Sequence, residues 1–428
     1  MSLHFDTERH QPRGYIVMNT PFIIPQAVDA MSPINIRSLF PFARVKMTNI
    51  TADPTGQVTH VDLVPDQRYT PCCGQFRAPF PCLHSWHTRA IRDLPMAGSQ
   101  VVLLLRYRKG YCPTCGITVE YHSFVHPYAR ITTRFARYIG GLCQLMPLTQ
   151  VAAQVHLSWD QVVRIDRLQL AQRFGEYTPT NLRLLCLDEI SLKKHQHYLT
   201  LFANYETGEV IGAVRNRTAQ AVIEQLTAWP SDVRAGIDAV AIDMWDPYIK
   251  ALRAVCPQAK IVFDPFHVIQ AFGKVIDKIR REEFQRASAT MKPVLKGSRY
   301  LLLKNAEHLT AKERPRLKEV LQRNELLASV YLLKDYLKRL WQYKSSAWAK
   351  KFLQYWCDLA VETGSRYLRT FVKTLRKYAY GILNHCRFPI HTSKLEGINN
   401  KIKVLKRQAY GFHDVEYFTW KIMQCTAN

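Results

Sequence analysis

The sequence predicts a multidomain α/β protein: a mixed sheet with a large all-α block, preceded by a zinc-ribbon-like module and a helix-turn-helix. Three observations predict it. Cysteines fall in two clusters on either side of an alternating strand, short apolar runs alternate with helical stretches from Leu182 to Asp264, and amphipathic helical patterns run without a strand from about residue 270 to 385. The expected boundaries are an N-terminal arm of unknown role over 1–62, a zinc-binding domain over 63–128, a helix-turn-helix over 129–176, and an α/β domain with its helical block over 177–428.

At 428 residues and 47% hydrophobic content the chain has the length and apolar share for several packed cores. The formal net charge is +25, which predicts a polyanionic partner, with nucleic acid ahead of an anionic membrane surface. No run approaches the about 18 apolar residues of a spanning helix, and MSLHFDTERHQPRGY lacks the apolar centre of a signal peptide. An intracellular, reducing setting is therefore expected, in which clustered cysteines bind metal and lone ones fill cores.

The first 60 residues carry Pro21, Pro25, Pro33 and Pro41 among short apolar patches and read as a loosely built arm or docking segment. Next, Cys112 and Cys115 make a Cys-x-x-Cys knuckle between Gly110 and Gly116, a tight turn that lets two thiolates reach one zinc ion. The alternating run VVLLLRYR separates it from Cys72, Cys73, Cys82, His84 and His87. The expected zinc set is Cys73, Cys82, Cys112 and Cys115, with Cys72 and His84 in reserve. The plain alternative is incidental cysteines, and redox chemistry is disfavoured without a thioredoxin-like pattern.

LTQVAAQVHLSWDQVVRI, Leu148 to Ile165, reads as a helix-turn-helix with Val151, Ala152 and Val155 inward, His156 and Leu157 in the turn, and Ser158 capping the second helix. That helix would turn Trp159, Gln161 and Arg164 toward phosphates or base edges, although any helical hairpin shares the pattern. LRLLCL then reads as a buried strand delivering Asp188 and Glu189. YLTLFANY and VIGAVRN form a hairpin about Glu206-Thr207-Gly208-Glu209. After a helix from Ala219, IDAVAID ends at Asp243, and after another helix AKIVFD ends at Asp264, with His267 following. Aspartates at consecutive strand ends converge on one sheet edge, where α/β sheets build their sites. The helical block beyond is either a C-terminal domain or an insertion within the α/β domain.

In HTSKLEGINNKIKVLKRQAY, Leu395, Ile398, Ile402 and Leu405 make an apolar helical stripe. Glu396, Asn399, Asn400, Lys403 and Arg407 share the polar side. The bland reading is a solvated basic face with one balancing acid. Joined to the strand-end aspartates, Glu396 completes an all-oxygen set suited to two Mg²⁺ ions about 3.5 to 4 Å apart, which would activate a water or 3′-hydroxyl and stabilise a leaving oxygen. Individually each Asp reads equally as a helix or turn cap; Asp264 is ranked as capping or supporting.

These residues resemble the ISL3 family of insertion-sequence transposases, over about 360 residues from the zinc cluster to the C-terminus. The carriers are HSWHTRAIRDLP before Cys112, LDEIS, IDMWDPY, FDPFHV and above all SKLEGINNKIKVLKRQAYGF. The resemblance implies an RNase H-like catalytic domain with a DDE triad at Asp188, Asp243 and Glu396, holding two Mg²⁺ with Mn²⁺ as a substitute, and makes the helical block an insertion. It also implies binding of double-stranded DNA at terminal inverted repeats and at a target, cleavage and strand transfer, a homodimer or higher oligomer in a synaptic complex, no membrane, and a bacterial cytoplasmic, nucleoid-associated setting. Lys394, Lys401, Lys403 and Arg407 are the expected phosphate contacts on the Glu396 helix. One departure is Thr70, three residues before Cys73 where such zinc modules open with a first cysteine; it leaves Cys72, Cys82 and His84 as rival ligands. The competing classes are a non-catalytic, repressor-like DNA-binding protein with a decayed RNase H-like domain, and a nuclease that hydrolyses without joining.

Overall fold

The computed structural model describes residues 36–193, 197–409 and 414–427. Most of the expected N-terminal arm, residues 1–35, therefore lies outside the described residues, as does the Tyr410–Phe412 end of the longest motif. The chain divides into two compact units, Met1–Phe135 and Ala136–Asn428.

The first unit is built on strands β1 (Val45–Ala52), β2 (Val58–Pro65), β3 (Leu83–Arg92), β4 (Gln100–Cys112) and β5 (Gly116–Val119). They form one sheet in the order β1-β2-β4-β3, with β5 also on β4. The pairings are antiparallel except β2 with β4. Alternation is the cause: Val61, Leu63, Leu103, Leu105 and Ile91 face one core while their neighbours face out. The arm reading is corrected here. β1 and most of β2 lie within residues 1–62, joined by a turn in which Asp53 accepts the Val58 N–H at 2.9 Å and Gly56 takes φ +70°.

Helix α1 (Thr133–Leu145) runs across the boundary, and the second unit continues with α2 (Leu148–Val155) and α3 (Trp159–Phe174). Strands β6 (Leu184–Lys193), β7 (His197–Asn204), β8 (Val210–Arg215), β9 (Ala239–Ile242) and β10 (Lys260–Phe263) make a sheet ordered β10-β9-β6-β7-β8. The β6-β7-β8 side is antiparallel and the β6-β9-β10 side parallel. Helices α4 (Ala219–Thr227), α5 (Ser231–Ala235) and α6 (Asp246–Val255) fill the connections. The helical block runs through α7 (Pro265–Arg286), α8 (Lys292–Leu295), α9 (Arg299–Leu303), α10 (Glu313–Arg323), α11 (Glu325–Arg339), α12 (Ser346–Glu362) and α13 (Arg366–Asn384). It returns to α14 (Ser393–Gln408) and α15 (Val415–Thr426).

Two cores sandwich this sheet. Leu185, Leu187, Val240, Ile242, Ile261 and Phe263 pack toward the helical block, whereas Cys186, Ala239, Ala241 and Val262 pack toward α14 and α15. The block is held at β10, where Asn384 donates to the Ile261 carbonyl at 2.8 Å and Gly381 lies against the Phe263 ring. At the other side a buried Asp166 on α3 accepts from Tyr417 at 2.5 Å and pairs with Lys421 at 3.2 Å, both on α15. The helix-turn-helix is thus joined to the C-terminal helix by a desolvated ion pair.

Candidate active site

The strand β6 does not stop at its acid, as the apolar run suggested. It continues to Lys193 against β7, but its parallel pairing with β9 ends at Cys186 opposite Ala241. Two residues further along lie Asp188, still within β6, and Asp243, one residue past the end of β9, and continuing the register would set them level, about 4.8 Å apart in the pairing direction. Period two puts both on the face of Cys186 and Ala241, the face that α14 covers. Asp264 ends β10 on that same face.

Helix α14 docks there because Leu395, Ile398 and Ile402 are buried and Leu405 partly so, which is the stripe expected from sequence. Burying such side chains is worth roughly 1.5–3 kcal/mol each. Glu396 falls in the first turns of this helix, while its side chain, like that of Lys394, lies outside the described residues. Three residues on, Asn399 donates its amide to Asp188 Oδ2 at 2.8 Å, and Asp188 Oδ1 accepts the Glu189 N–H at 2.8 Å. Burial, with the Asp243 charge adding to it, lifts the Asp188 carboxyl to about 6 despite those two donors. Asp243 Oδ1 lies 2.6 Å from His267 Nε2 as an ion pair rather than an aligned hydrogen bond. Burial works against a charged imidazole, but the Asp243 contact and the charges of Asp264 and Asp188 outweigh it and raise His267.

Asp264 is a different case. Its Oδ1 accepts the Phe266 N–H at 2.8 Å as the cap of α7, and its Oδ2 accepts the Thr392 N–H at 3.1 Å and the Thr392 hydroxyl. Glu189, on the opposite face, pairs with Arg217 at 3.2 Å. The Arg217 guanidinium lies over the rings of Tyr198 and Trp245. A hard divalent cation fits the remaining oxygen donors: the Asp188 carboxylate, raised chiefly by burial, the Asp243 carboxylate, whose Oδ1 has only the His267 ion pair among the described residues, and an Asn399 Oδ1 buried without a hydrogen bond. Sequence reasoning had Asn399 on the right face and gave it no role; its spacing of three from Glu396 was the available signal.

In the first unit Cys73, Cys112 and Cys115 bring their sulfurs within 4.8 Å of one another, with Cys73 and Cys115 at 3.6 Å. Tetrahedral zinc with bonds of about 2.3 Å needs sulfurs about 3.8 Å apart, so these three fit. The N–H groups of Gln75 and Phe76 point at Cys73 Sγ, at 3.4 and 3.5 Å. Those of Cys115 and Thr114 lower Cys112, while burial and the neighbouring thiols push Cys115 up to about 12. Cys82 is not part of this group: it is exposed at the open end of β3, its carbonyl accepting from Tyr111 at 3.1 Å. Neither Cys72 nor His84 joins it, His84 Nδ1 lying 2.9 Å from the Ser85 hydroxyl.

The hairpin of α2 and α3 turns at His156, φ 51°, and Ser158 and Gln161 close a reciprocal capping box. The Gln161 side chain, expected to reach DNA, is engaged in that cap, accepting the Ser158 N–H at 2.9 Å. Trp159 and Arg164 are exposed on the same helix, and Lys401, Lys403 and Arg407 are exposed on α14. Among the described residues no helix is long and apolar enough to cross a membrane.

Comparison with known proteins gives three adjoining matches. A family model described as a transposase covers residues 185–422, one for the helix-turn-helix domain of transposase family ISL3 covers 120–168, and one for the zinc-finger of transposase IS204/IS1001/IS1096/IS1165 covers 71–115. The transposase for insertion sequence element IS1001 of Bordetella parapertussis is 39% identical over 357 residues, 82% of this chain and 87% of the relative. The transposase for insertion sequence element IS1557 of Mycobacterium tuberculosis is 26% identical over 362 residues, 77% and 80% of the two chains.

Proposed function

Because the chain belongs to the ISL3 family of insertion-sequence transposases, we propose that it cuts the ends of its element and joins them to target DNA at a DDE site made by Asp188, Asp243 and Glu396. The observation that supports this reading is the parallel register of β6 and β9, which pairs Cys186 with Ala241 two residues before Asp188 and Asp243, on the face covered by the helix bearing Glu396. The sheet, antiparallel across β6, β7 and β8 and parallel across β6, β9 and β10, supports an RNase H-like catalytic domain with α7 to α13 as its insertion.

In this reading the three carboxylates hold divalent cations, Mg²⁺ or in its place Mn²⁺, which when bound activate a water or 3′-hydroxyl and stabilise the leaving oxygen. Asp188 accepts the Glu189 N–H, and Asp243 is paired with His267. Lys401, Lys403 and Arg407 lie along the exposed side of the same helix, where they hold phosphates and so bring a backbone toward the acids. Trp159 and Arg164 of α3 contact the terminal repeat, and a structural zinc orders the first unit. Two ends must be handled together, which calls for a dimer or larger assembly on DNA in the bacterial nucleoid.

The test is Glu396→Gln and Asp188→Asn in the full chain, assayed on a terminal-repeat duplex with Mg²⁺. Both variants are expected to bind the duplex as the parent does and to lose cleavage and joining, since groups that act as a unit fail together. Cleavage by Glu396→Gln at a tenth of the parental rate or more, a loss of only about 1.4 kcal/mol, would reduce this helix to a basic surface. Absence of Mg²⁺-dependent cleavage by the parent protein would instead favour a DNA-binding protein without strand chemistry.

A further inference from the structure

One polar group in the site has no part in the triad. Asn399 stands three residues after Glu396 on α14, one helical turn along the same face. Its amide nitrogen donates to Asp188 Oδ2 at 2.8 Å, while its amide oxygen is buried with no hydrogen-bond partner among the described residues. The orientation is forced by chemistry, because an ionised carboxylate only accepts, so the nitrogen must face Asp188 and the oxygen must be left over. Buried amide oxygens are nearly always satisfied, and an orphan on an amide bonded to the Asp188 carboxylate calls for a missing donor or cation. The next residue, Asn400, is exposed and accepts from Lys403 Nζ at 3.4 Å, so it provides a control of identical chemistry on the same helix.

We propose that Asn399 is a positioning residue of the catalytic metal site: its N–H fixes the rotamer of Asp188, and its carbonyl oxygen is an acceptor reserved for the hydrated cation. The inference rests on the triad reading above. The apolar side chains of Leu395, Ile398 and Ile402 fix the helix against the sheet, which holds the Asn399 amide at Asp188. Groups that orient a ligand in this way set metal affinity as well as rate, commonly by ten- to a hundredfold.

The experiment measures Mn²⁺ binding to the full-length protein by electron paramagnetic resonance, beside cleavage of a terminal-repeat duplex, for Asn399→Ala, Asn399→Ser, Asn400→Ala and Asp188→Asn. Melting curves in EDTA establish which variants are folded; the serine variant, whose hydroxyl is too short to reach Asp188, decides the matter if the alanine variant does not fold. The expected result is Mn²⁺ affinity about tenfold or more weaker for the Asn399 variants, cleavage reduced with it, DNA affinity in EDTA unchanged, and Asn400→Ala like the parent. Parental Mn²⁺ binding by a folded Asn399 variant, with Asp188→Asn deficient, would overturn the role of Asn399 and leave the triad standing. Parental binding by Asp188→Asn would overturn the triad reading and this inference with it.

Discussion

Asp264 ends a strand beside Asp188 and Asp243, yet its oxygens are already occupied by the Phe266 N–H and by Thr392. Its replacement is therefore a stability experiment. Asp264→Ala removes a cap worth about 1 kcal/mol and leaves the buried Thr392 N–H unsatisfied at about 1–3 kcal/mol, so urea unfolding is expected to shift by about 2 kcal/mol or more. The three clustered thiols behave differently. Thiolates this close repel one another, a conflict that adds to the burial raising Cys115, while backbone N–H groups lower Cys112. Zinc resolves it, so purified protein is expected to carry one zinc per chain, and Cys112→Ser is expected to lose the metal and unfold the first unit at lower denaturant. Metal analysis and a denaturation curve check both.

Two helical glycines separate what an element wants from what its neighbours allow. Gly397 on α14 has nothing within 4 Å of an added Cβ, whereas at Gly381 on α13 that atom would lie 2.5 Å from the Phe263 ring. Glycine inside a helix costs about 0.5–1 kcal/mol relative to alanine, so Gly397→Ala is expected to raise stability by that amount. Gly381→Ala is expected to lower it by about 1–3 kcal/mol through overpacking against the strand that ends at Asp264. Denaturant midpoints of the two variants give opposite signs. The same logic governs α3 and α15: Lys421→Met strands the buried Asp166 charge, a loss of about 3–5 kcal/mol. The stripe on α14 and the cap at Ser158 were legible because each depends only on residues within one or two turns. The cap also claimed Gln161, since the partner of Ser158 sits three residues away by construction of the motif.

Over the whole molecule, the +25 charge predicts DNA affinity that falls steeply and linearly on logarithmic axes as salt rises. Trp159→Ala or Arg164→Ala in the full chain is expected to lessen preference for the terminal repeat while leaving that salt slope changed by no more than about one phosphate contact. Competition binding against random duplex at several salt concentrations tests this. Removing residues 1–175 would not, because the cut expels Asp166 and leaves Lys421 buried without its partner. What the sequence by itself determined is whatever short-range physics fixes: the periodicities of strands and helices, the Cys-x-x-Cys turn, the caps, the excess of basic residues and the motifs that mark the family. Tertiary structure decided the rest. The pairing of Cys186 with Ala241 just before Asp188 and Asp243, the exclusion of Cys82 from the thiol cluster and the meeting of Asn399 with Asp188 across 211 residues each depend on strand register and helix docking. Those are set by burial summed over the sheet and both its cores, a long-range energy that no local window of sequence contains.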